Sequence, residues 1–249
     1  MIGALVERLY SSSTPSSEDI EAIRSLPLFI KQVEAHHFVV REGERPTHCC
    51  LVAAGFCART KTTGDGKRQI LSIHIPGEIP DLQSLHLAVM DHDLMTLTPA
   101  TLGFIEHHTL REMLRRHPSL ADLFWRDTLI DAAMFREWIV NVGQRPAPSR
   151  LAHVVAELHE RLKSTKQVEG NSFEMPLTQE QIGEALGITA VHANRVIRQL
   201  RQERILEFSR GRVTILNQQA LLELADFDGR YLHQSPAQEE NAALSFSHP

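Results

Sequence analysis

Leu177-Thr178-Gln179-Glu180-Gln181-Ile182-Gly183-Glu184-Ala185-Leu186-Gly187-Ile188-Thr189 is the stretch from which the architecture can be read. Thr178 followed three residues later by Gln181 has the spacing of a capping box, and Leu177 with Ile182 has that of the accompanying hydrophobic staple, so a helix starts after Thr178. Gly187 sits where a left-handed residue ends that helix and turns the chain. Thr189 then caps a second helix running to about Gln202, with Ala193, Val196, Ile197 and Leu200 on one face. Two short helices joined by a glycine-containing turn form a helix-turn-helix.

The chain continues as Ile205-Leu206-Glu207-Phe208, then Ser209-Arg210-Gly211-Arg212, then Val213-Thr214-Ile215-Leu216: strand, basic turn, strand. This is a wing, and helix, turn, helix and wing in succession are far more specific than a helix pair alone. Six arginines (Arg195, Arg198, Arg201, Arg204, Arg210, Arg212) and two acids (Glu203, Glu207) lie between Thr189 and Leu216, in a chain whose net charge is −5. A local basic face on an acidic protein implies one particular anionic partner, here double-stranded DNA. The second helix can enter the major groove by its N-terminus, which brings Ala190, Val191, His192 and Arg195 to base edges, with Arg195 the main reader because it can donate twice to guanine. Arg198, Arg210 and Arg212 suit phosphates, as do the hydroxyls and helix-terminal amides at Thr178 and Thr189.

Upstream, a short helix fits Glu18 to Leu26, after a polar and loose beginning that includes residues 11–17. From His36 to about Glu106 the chain shows short β-like runs punctuated by glycine: 38–40, 49–60, 69–75 and 101–105. Thr63-Gly64-Asp65-Gly66 is a hairpin turn. Strands at this spacing make an antiparallel roll. Residues 119–142 contain no glycine or proline and read as one long helix with an apolar stripe of Leu123, Ile130, Met134, Trp138 and Val142, which either crosses a core or pairs with a second copy. The stretch 143–149 breaks that helix as a hinge, Leu151 to Leu162 forms another helix, and a polar loop leads to Met175-Pro176. The fold class is therefore α+β. Residues 1–117 form an antiparallel β-roll (jelly-roll) domain with its N-terminal helix, 118–144 the long helix and hinge, a dimerisation helix if it pairs with a second copy, and 145–224 the winged helix-turn-helix. Residues 225–249 form a tail lacking structure-forming signals, with Gln234 to Pro249 expected to be disordered.

With these pieces in place, residues 18 to 220 resemble the Crp/Fnr family of transcription regulators. The likeness rests on Val40-Arg41-Glu42-Gly43-Glu44, Leu51-Val52-Ala53-Ala54-Gly55, Gly66 to Ser72 running into Pro76-Gly77-Glu78, Leu177 to Leu200, and the wing. The resemblance implies a cyclic-nucleotide-binding-type sensor and a homodimer paired through the 119–142 helix. It also implies a palindromic promoter site and RNA polymerase as a further partner. Members that hold cyclic AMP do so with a Gly-Glu pair and a following Arg-Ser pair, whereas Pro80-Asp81 stands where Gly-Glu would fall. No Arg or Lys occurs from Gln69 through Leu110. Burying a cyclic phosphate without a cation is costly, so no cyclic-AMP binding of the usual kind is expected and no cofactor is implied. The controlling signal is left open: an unknown ligand, or none. In the second helix the family's frequent Arg-Glu or Val-Glu pair is replaced by Ala190-Val191, which removes an acceptor for cytosine and offers a methyl contact to thymine. Arg195 matches the family arginine.

The remaining features point elsewhere or nowhere. Cys49, Cys50 and Cys57 make no disulfide framework and fit a reducing, cytoplasmic compartment; as strand neighbours, Cys49 and Cys50 face opposite sides. The paired histidines (His36-His37, His107-His108) do not converge on one ion within a strand, and Met90-Asp91-His92-Asp93 reads as a polar loop more readily than a metal site. No uninterrupted apolar run approaches the roughly 18 residues a membrane span needs. No catalytic motif stands out, so the chain is not read as an enzyme. The alternative function is a sensor or scaffold of the same fold acting through protein contacts.

Overall fold

The computed structural model describes residues 2–234. Two helices, α1 (Ile2–Ser12) and α2 (Ser17–Arg24), lead into seven strands: β1 (Phe29–Val33), β2 (Phe38–Val40), β3 (His48–Ala54), β4 (Cys57–Thr62), β5 (Arg68–His74), β6 (Asp93–Thr96) and β7 (Ala100–Glu106). They form two antiparallel sheets, β1-β7-β3 and β2-β6-β4-β5, closed over a core that includes Val52, Cys57, Leu94 and Leu102. The expected run 49–60 is two strands, split at Gly55-Phe56, where a Cβ on Gly55 would lie 2.5 Å from the Pro99 carbonyl oxygen. β1 and β6 give no clear sequence signal. β1 is a largely exposed edge strand, and β6 is four residues long and begins on an aspartate. That aspartate belongs to the Met90–Asp93 stretch. Asp93 accepts from the Glu42 amide at 2.8 Å and His92 pairs with Asp91 at 2.7 Å, and no metal-ligand group occurs among the described residues.

The N-terminus departs from expectation. Residues 2–12, expected to be loose, are helical, and Leu5, Val6 and Leu9 pack under the roll against Leu82 and Leu85. The serine run after them masks a short apolar periodicity of ordinary strength. The tail departs in the same way. Beyond α8 (Gln218–Ala225), a 3₁₀ turn at Gly229–Leu232 returns to the body, where Leu232 is buried against Ile130 and Met134. Three apolar residues (Phe227, Tyr231, Leu232) anchor this return, too few and too irregular to show as a pattern. The rest of the expected disordered segment, from residue 235 on, lies outside the described residues.

Helix α3 (His107–Arg116) is followed by α4 (Pro118–Gln144), which has proline in its first turn, and by α5 (Ala147–Ser164). The expected seven-residue hinge narrows to Arg145-Pro146, because the extended backbone at Arg145 that precedes a proline is enough to break a helix. The apolar stripe of α4 crosses the core: Ile130, Met134 and Trp138 are buried within the chain. A different face, carrying Trp125 (66% exposed), Leu129 (51%) and Ile139 (69%), is left uncovered.

The C-terminal half contains β8 (Val168–Glu169), β9 (Ser172–Glu174), α6 (Gln179–Leu186), α7 (Ala190–Gln202), β10 (Leu206–Ser209) and β11 (Arg212–Ile215), with the strands ordered β10-β11-β9-β8. The stretch expected as a polar loop thus holds a hairpin that extends the wing sheet. The two halves share one core. Phe56, Ile70, Ile73 and Leu97 of the roll belong to the same buried cluster as Leu151, Val155 and Leu158 of α5 and Ile182, Val196 and Leu200 beyond it.

Candidate nucleic-acid interface

The helix-turn-helix is built by local hydrogen bonds. The Thr178 amide donates to the Gln181 side chain at 2.8 Å, and the Gln181 amide donates to the Thr178 hydroxyl at 3.1 Å. Leu177 and Ile182 pack into the same cluster as the staple requires. Gly187 has φ +66° and closes α6 with a left-handed turn, while the Arg150 guanidinium of α5 donates to the Leu186 carbonyl at 2.8 Å, satisfying one of the orphan groups of the helix end. Gly183 lets the turn approach: a Cβ there would lie 2.7 Å from the Ile188 carbonyl oxygen. Thr189 caps α7 by accepting from the His192 amide at 3.2 Å. Ala193, Val196, Ile197 and Leu200 are buried, as their spacing predicts.

This packing fixes what α7 presents to solvent. Val191 is 73% exposed, and Arg195 and Arg198 are exposed one and two turns further along. The guanidinium groups of Arg195 and Arg198 make no hydrogen bond or ion pair among the described residues, so their donors are uncommitted. The first turn of α7 carries no acidic residue, leaving its positive end unopposed for an anion. Ala190 and His192 are half-buried beside Val191, and Thr178 and Thr189 are exposed at the two helix starts. At the wing tip Arg210 and Gly211 both have positive φ (51° and 77°), forming the two-residue turn a tight hairpin favours, and Arg210 projects there uncommitted. Arg201, to which the sequence assigned no role, ties α7 to the wing by donating to the Phe208 carbonyl at 2.7 Å.

Arg212 stands apart. Its guanidinium pairs with Glu169 of β8 at 2.9 Å and lines a cleft between the wing sheet and the roll loop Ala53–Phe56, so the structure does not gather it with Arg195, Arg198 and Arg210. Strand alternation and the β8–β9 hairpin, which supplies the competing carboxylate, are the reasons.

The region around Pro80-Asp81 also differs from expectation. Cations do reach it, from outside the stretch that lacks them: Arg59 from β4 and Arg8 from α1. Both are already engaged. Arg59 pairs with Asp131 of α4 at 2.6 Å and donates to the Pro80 carbonyl at 2.7 Å, and Arg8 pairs with Asp127 at 2.9 Å. The space left among them is about 20 Å³, room for about one water. Asp81 is buried with one oxygen on the Cys50 amide at 2.7 Å, and burial raises its carboxyl to about 7 despite that bond. Burial and the neighbouring Arg59 lower His74, whose Nδ1 bonds Glu78 at 2.9 Å. The three cysteines are free and buried, and burial pushes the Cys57 thiol up to about 12, which leaves it without thiolate character. Among the described residues no helix is long and apolar enough to cross a membrane.

A β-roll, a long helix and a winged helix-turn-helix with an uncommitted basic reading face define a DNA-binding regulator with an appended sensor-type domain. Comparison with known proteins agrees. Residues 30–117 match the cyclic nucleotide-binding domain family, and residues 149–224 match the Crp-like helix-turn-helix domain family. The chain is 24% identical over 222 residues to the transcriptional activator protein FnrL of Cereibacter sphaeroides, covering 86% of this chain and 87% of that one. It is also 24% identical over 223 residues to the nitrogen fixation regulation protein FixK of Rhizobium meliloti, covering 87% and 98%. The solved structure of FixK2 from Bradyrhizobium japonicum superposes with a TM-score of 0.73 at 20% identity, over 80% of this chain and 98% of that one. The chain belongs to the Crp/Fnr family of transcription regulators.

Proposed function

We propose that the protein is a sequence-specific regulator that binds a palindromic duplex site as a homodimer and acts in the cytoplasm by DNA binding rather than catalysis, with RNA polymerase as a further partner. The observation that carries the reading is the N-terminal part of α7, where Val191 and Arg195 project from a capped, acid-free helix start, the Arg195 guanidinium with no partner among the described residues. Arg195 reads guanine and Val191 meets a thymine methyl, while Ala190 and His192 fill the contact and Thr178, Thr189, Arg198 and Arg210 hold phosphates. Arg212 joins the phosphate contacts only by exchanging Glu169 for DNA.

The seam of the dimer is the uncovered face of α4. Trp125, Leu129 and Ile139 are large, apolar and exposed, and with the half-buried Ala132 between them they fall at spacings of four, three and seven, the repeat of a paired helix, which calls for a second copy. The sensor pocket, filled by Arg59 and Arg8 with their carboxylates, supports a protein that does not bind cyclic AMP in the usual manner.

Selection of binding sites from a random duplex pool, at physiological salt and without added ligand, tests the reading. It expects a palindrome with half-sites about one helical turn apart. Binding without sequence selection counts against it and favours a scaffold role.

A further inference from the structure

Between the two halves lies a buried ion-pair cluster for which DNA reading has no use. Arg161 of α5 is fully buried. It donates to Glu157 at 2.8 Å, to both oxygens of Glu78 at 2.8 and 2.9 Å, and to the Ile73 carbonyl of β5 at 2.7 Å. Glu157 also accepts from the Trp138 indole of α4 at 3.0 Å and from the Tyr231 hydroxyl at 2.9 Å. Glu78, just after β5, also faces Arg8 at 3.8 Å and His74 at 2.9 Å, and Arg8 reaches α4 through Asp127. The N-terminal helix, the roll, the long helix, the first helix of the DNA-binding half and the C-terminal turn therefore meet on one set of charges. Such groups tolerate burial only while every partner is in place, which makes the arrangement all-or-none.

A second contact holds the same two halves nearer the surface. Arg68 of β5 places Nε 3.0 Å from both Glu184 oxygens and Nη2 2.9 Å from one of them, and Gln181 of α6 donates to the Leu97 carbonyl at 3.3 Å. While the halves are docked in this way, Val191, Arg195, Arg198 and Arg210 are exposed. The docked state is thus one in which the reading face is open, while the space left among Arg8, Arg59, Asp127 and Asp131 holds about one water.

We propose that this cluster is an internal effector: Arg161, Glu157 and Glu78, braced by Arg8 and Asp127, hold the DNA-binding half in its DNA-competent position, the task a bound ligand would otherwise perform. The inference rests on the reading of α7 as the DNA-contacting helix and chooses, of the two controls left open, the ligand-independent one. It makes Arg161 a positioning residue.

The test uses the full chain and a duplex carrying the selected palindrome. Arg161→Met removes the hub. Arg68→Glu, with Glu184→Arg as its compensating partner, loosens the same docking from the surface should Arg161→Met fail to fold. Hydrogen exchange at β5 and α6 reports docking and exchange in the α7 interior reports the fold of the reader, while fluorescence anisotropy reports affinity. The expected result is faster exchange at β5 and α6, an unchanged α7 interior, at least a tenfold loss of affinity, and recovery of both signals in Arg68→Glu/Glu184→Arg. Undocking with affinity equal to or above that of the unaltered protein overturns the proposal, as does unchanged exchange in every variant that folds. A selective unaltered protein with indifferent variants removes only this inference. An unaltered protein without selectivity removes the reading of α7 and the inference with it.

Discussion

Replacing Gly183 by alanine should break the helix-turn-helix from inside, although the same change in a helix interior ordinarily stabilises. Alanine gains about 1 kcal/mol over glycine in helix propensity. Against this, the new Cβ would sit 2.7 Å from the Ile188 carbonyl oxygen and 3.3 Å from the Ala190 nitrogen and Thr189 carbonyl carbon, all backbone atoms of the turn. No flexible side chain is available to move aside, so the turn itself must shift. Overpacking of this kind costs about 1–3 kcal/mol. Displacing Thr189 also endangers the cap it makes to the His192 amide, worth about 1 kcal/mol. The balance is a net destabilisation of about 1–3 kcal/mol, or a melting temperature lower by about 2–12 °C. Gly143, in α4, has nothing within 4 Å of its added Cβ, so Gly143→Ala should move the melting temperature up or leave it unchanged. The assay is thermal unfolding of both variants followed by anisotropy on the selected duplex, where Gly183→Ala should lose affinity because Val191 and Arg195 no longer start from a fixed turn. A Gly183→Ala variant that melts at or above the unaltered protein and binds equally well would refute the described packing of α6 against the turn.

Four further outcomes follow from the structure. Arg195→Ala should cost about 1–3 kcal/mol on the selected duplex, roughly 5- to 150-fold, and relax the preference at its base pair. Arg210→Ala should instead weaken selected and random duplexes alike and flatten the salt dependence; equal behaviour of the two variants in competition binding would sink the division of roles. Leu129→Lys should halve the mass seen by sedimentation and abolish tight binding to the palindrome, and a variant that stays dimeric would place the seam elsewhere. Asp81 carries a pH signature, since its folded value of about 7 lies above its unfolded one. The stability from its protonated form is present below the unfolded pKa of about 4 and is lost as pH rises through 7, on the order of 4 kcal/mol in all. Asp81→Asn, which keeps an acceptor for the Cys50 amide, should therefore gain stability relative to the unaltered protein between pH 5 and pH 8 in urea unfolding, and an equal difference at both pH values would contradict this.

The helix-turn-helix was legible in the sequence because its signals are local. A Thr-x-x-Gln box, a glycine after the last helical turn and a capping threonine each act over a few residues, and the structure makes each bond in the expected place. The apolar stripe of α4 was legible only in part. Periodicity reveals that a helix has an apolar face, whereas α4 has two, and only tertiary packing shows that Ile130, Met134 and Trp138 go inward and leave Trp125, Leu129 and Ile139 outside. The strand β1 was hidden because a half-exposed edge keeps polar and apolar residues in no strict alternation. Residues 2–12 were hidden by the serines that follow them, and residues 225–232 by the small number of side chains that anchor them.

The arginines show most plainly what a sequence window cannot resolve. Counting between Thr189 and Leu216 identified a basic face, and counting between Gln69 and Leu110 identified a stretch without a cation; both counts are correct. Yet Arg8, Arg59 and Arg161 converge near that second stretch from α1, β4 and α5, and carboxylates on α4, α5 and the loop after β5 meet them. Arg195 and Arg210 have the same chemistry and no such partners among the described residues. Whether an arginine is a structural strut or a donor kept for DNA is decided by the carboxylates that folding brings to it, a non-local property. One signal of it was nonetheless present: Glu157 and Arg161 are four residues apart on a helix whose other positions from Leu151 to Leu162 are nearly all buried. An i,i+4 ion pair on a helix surface usually faces water and is worth little. The same pair on a helix buried on every side has no water to face, so each charge must find a further partner across a domain boundary, and Glu78 and Tyr231 are where those partners lie.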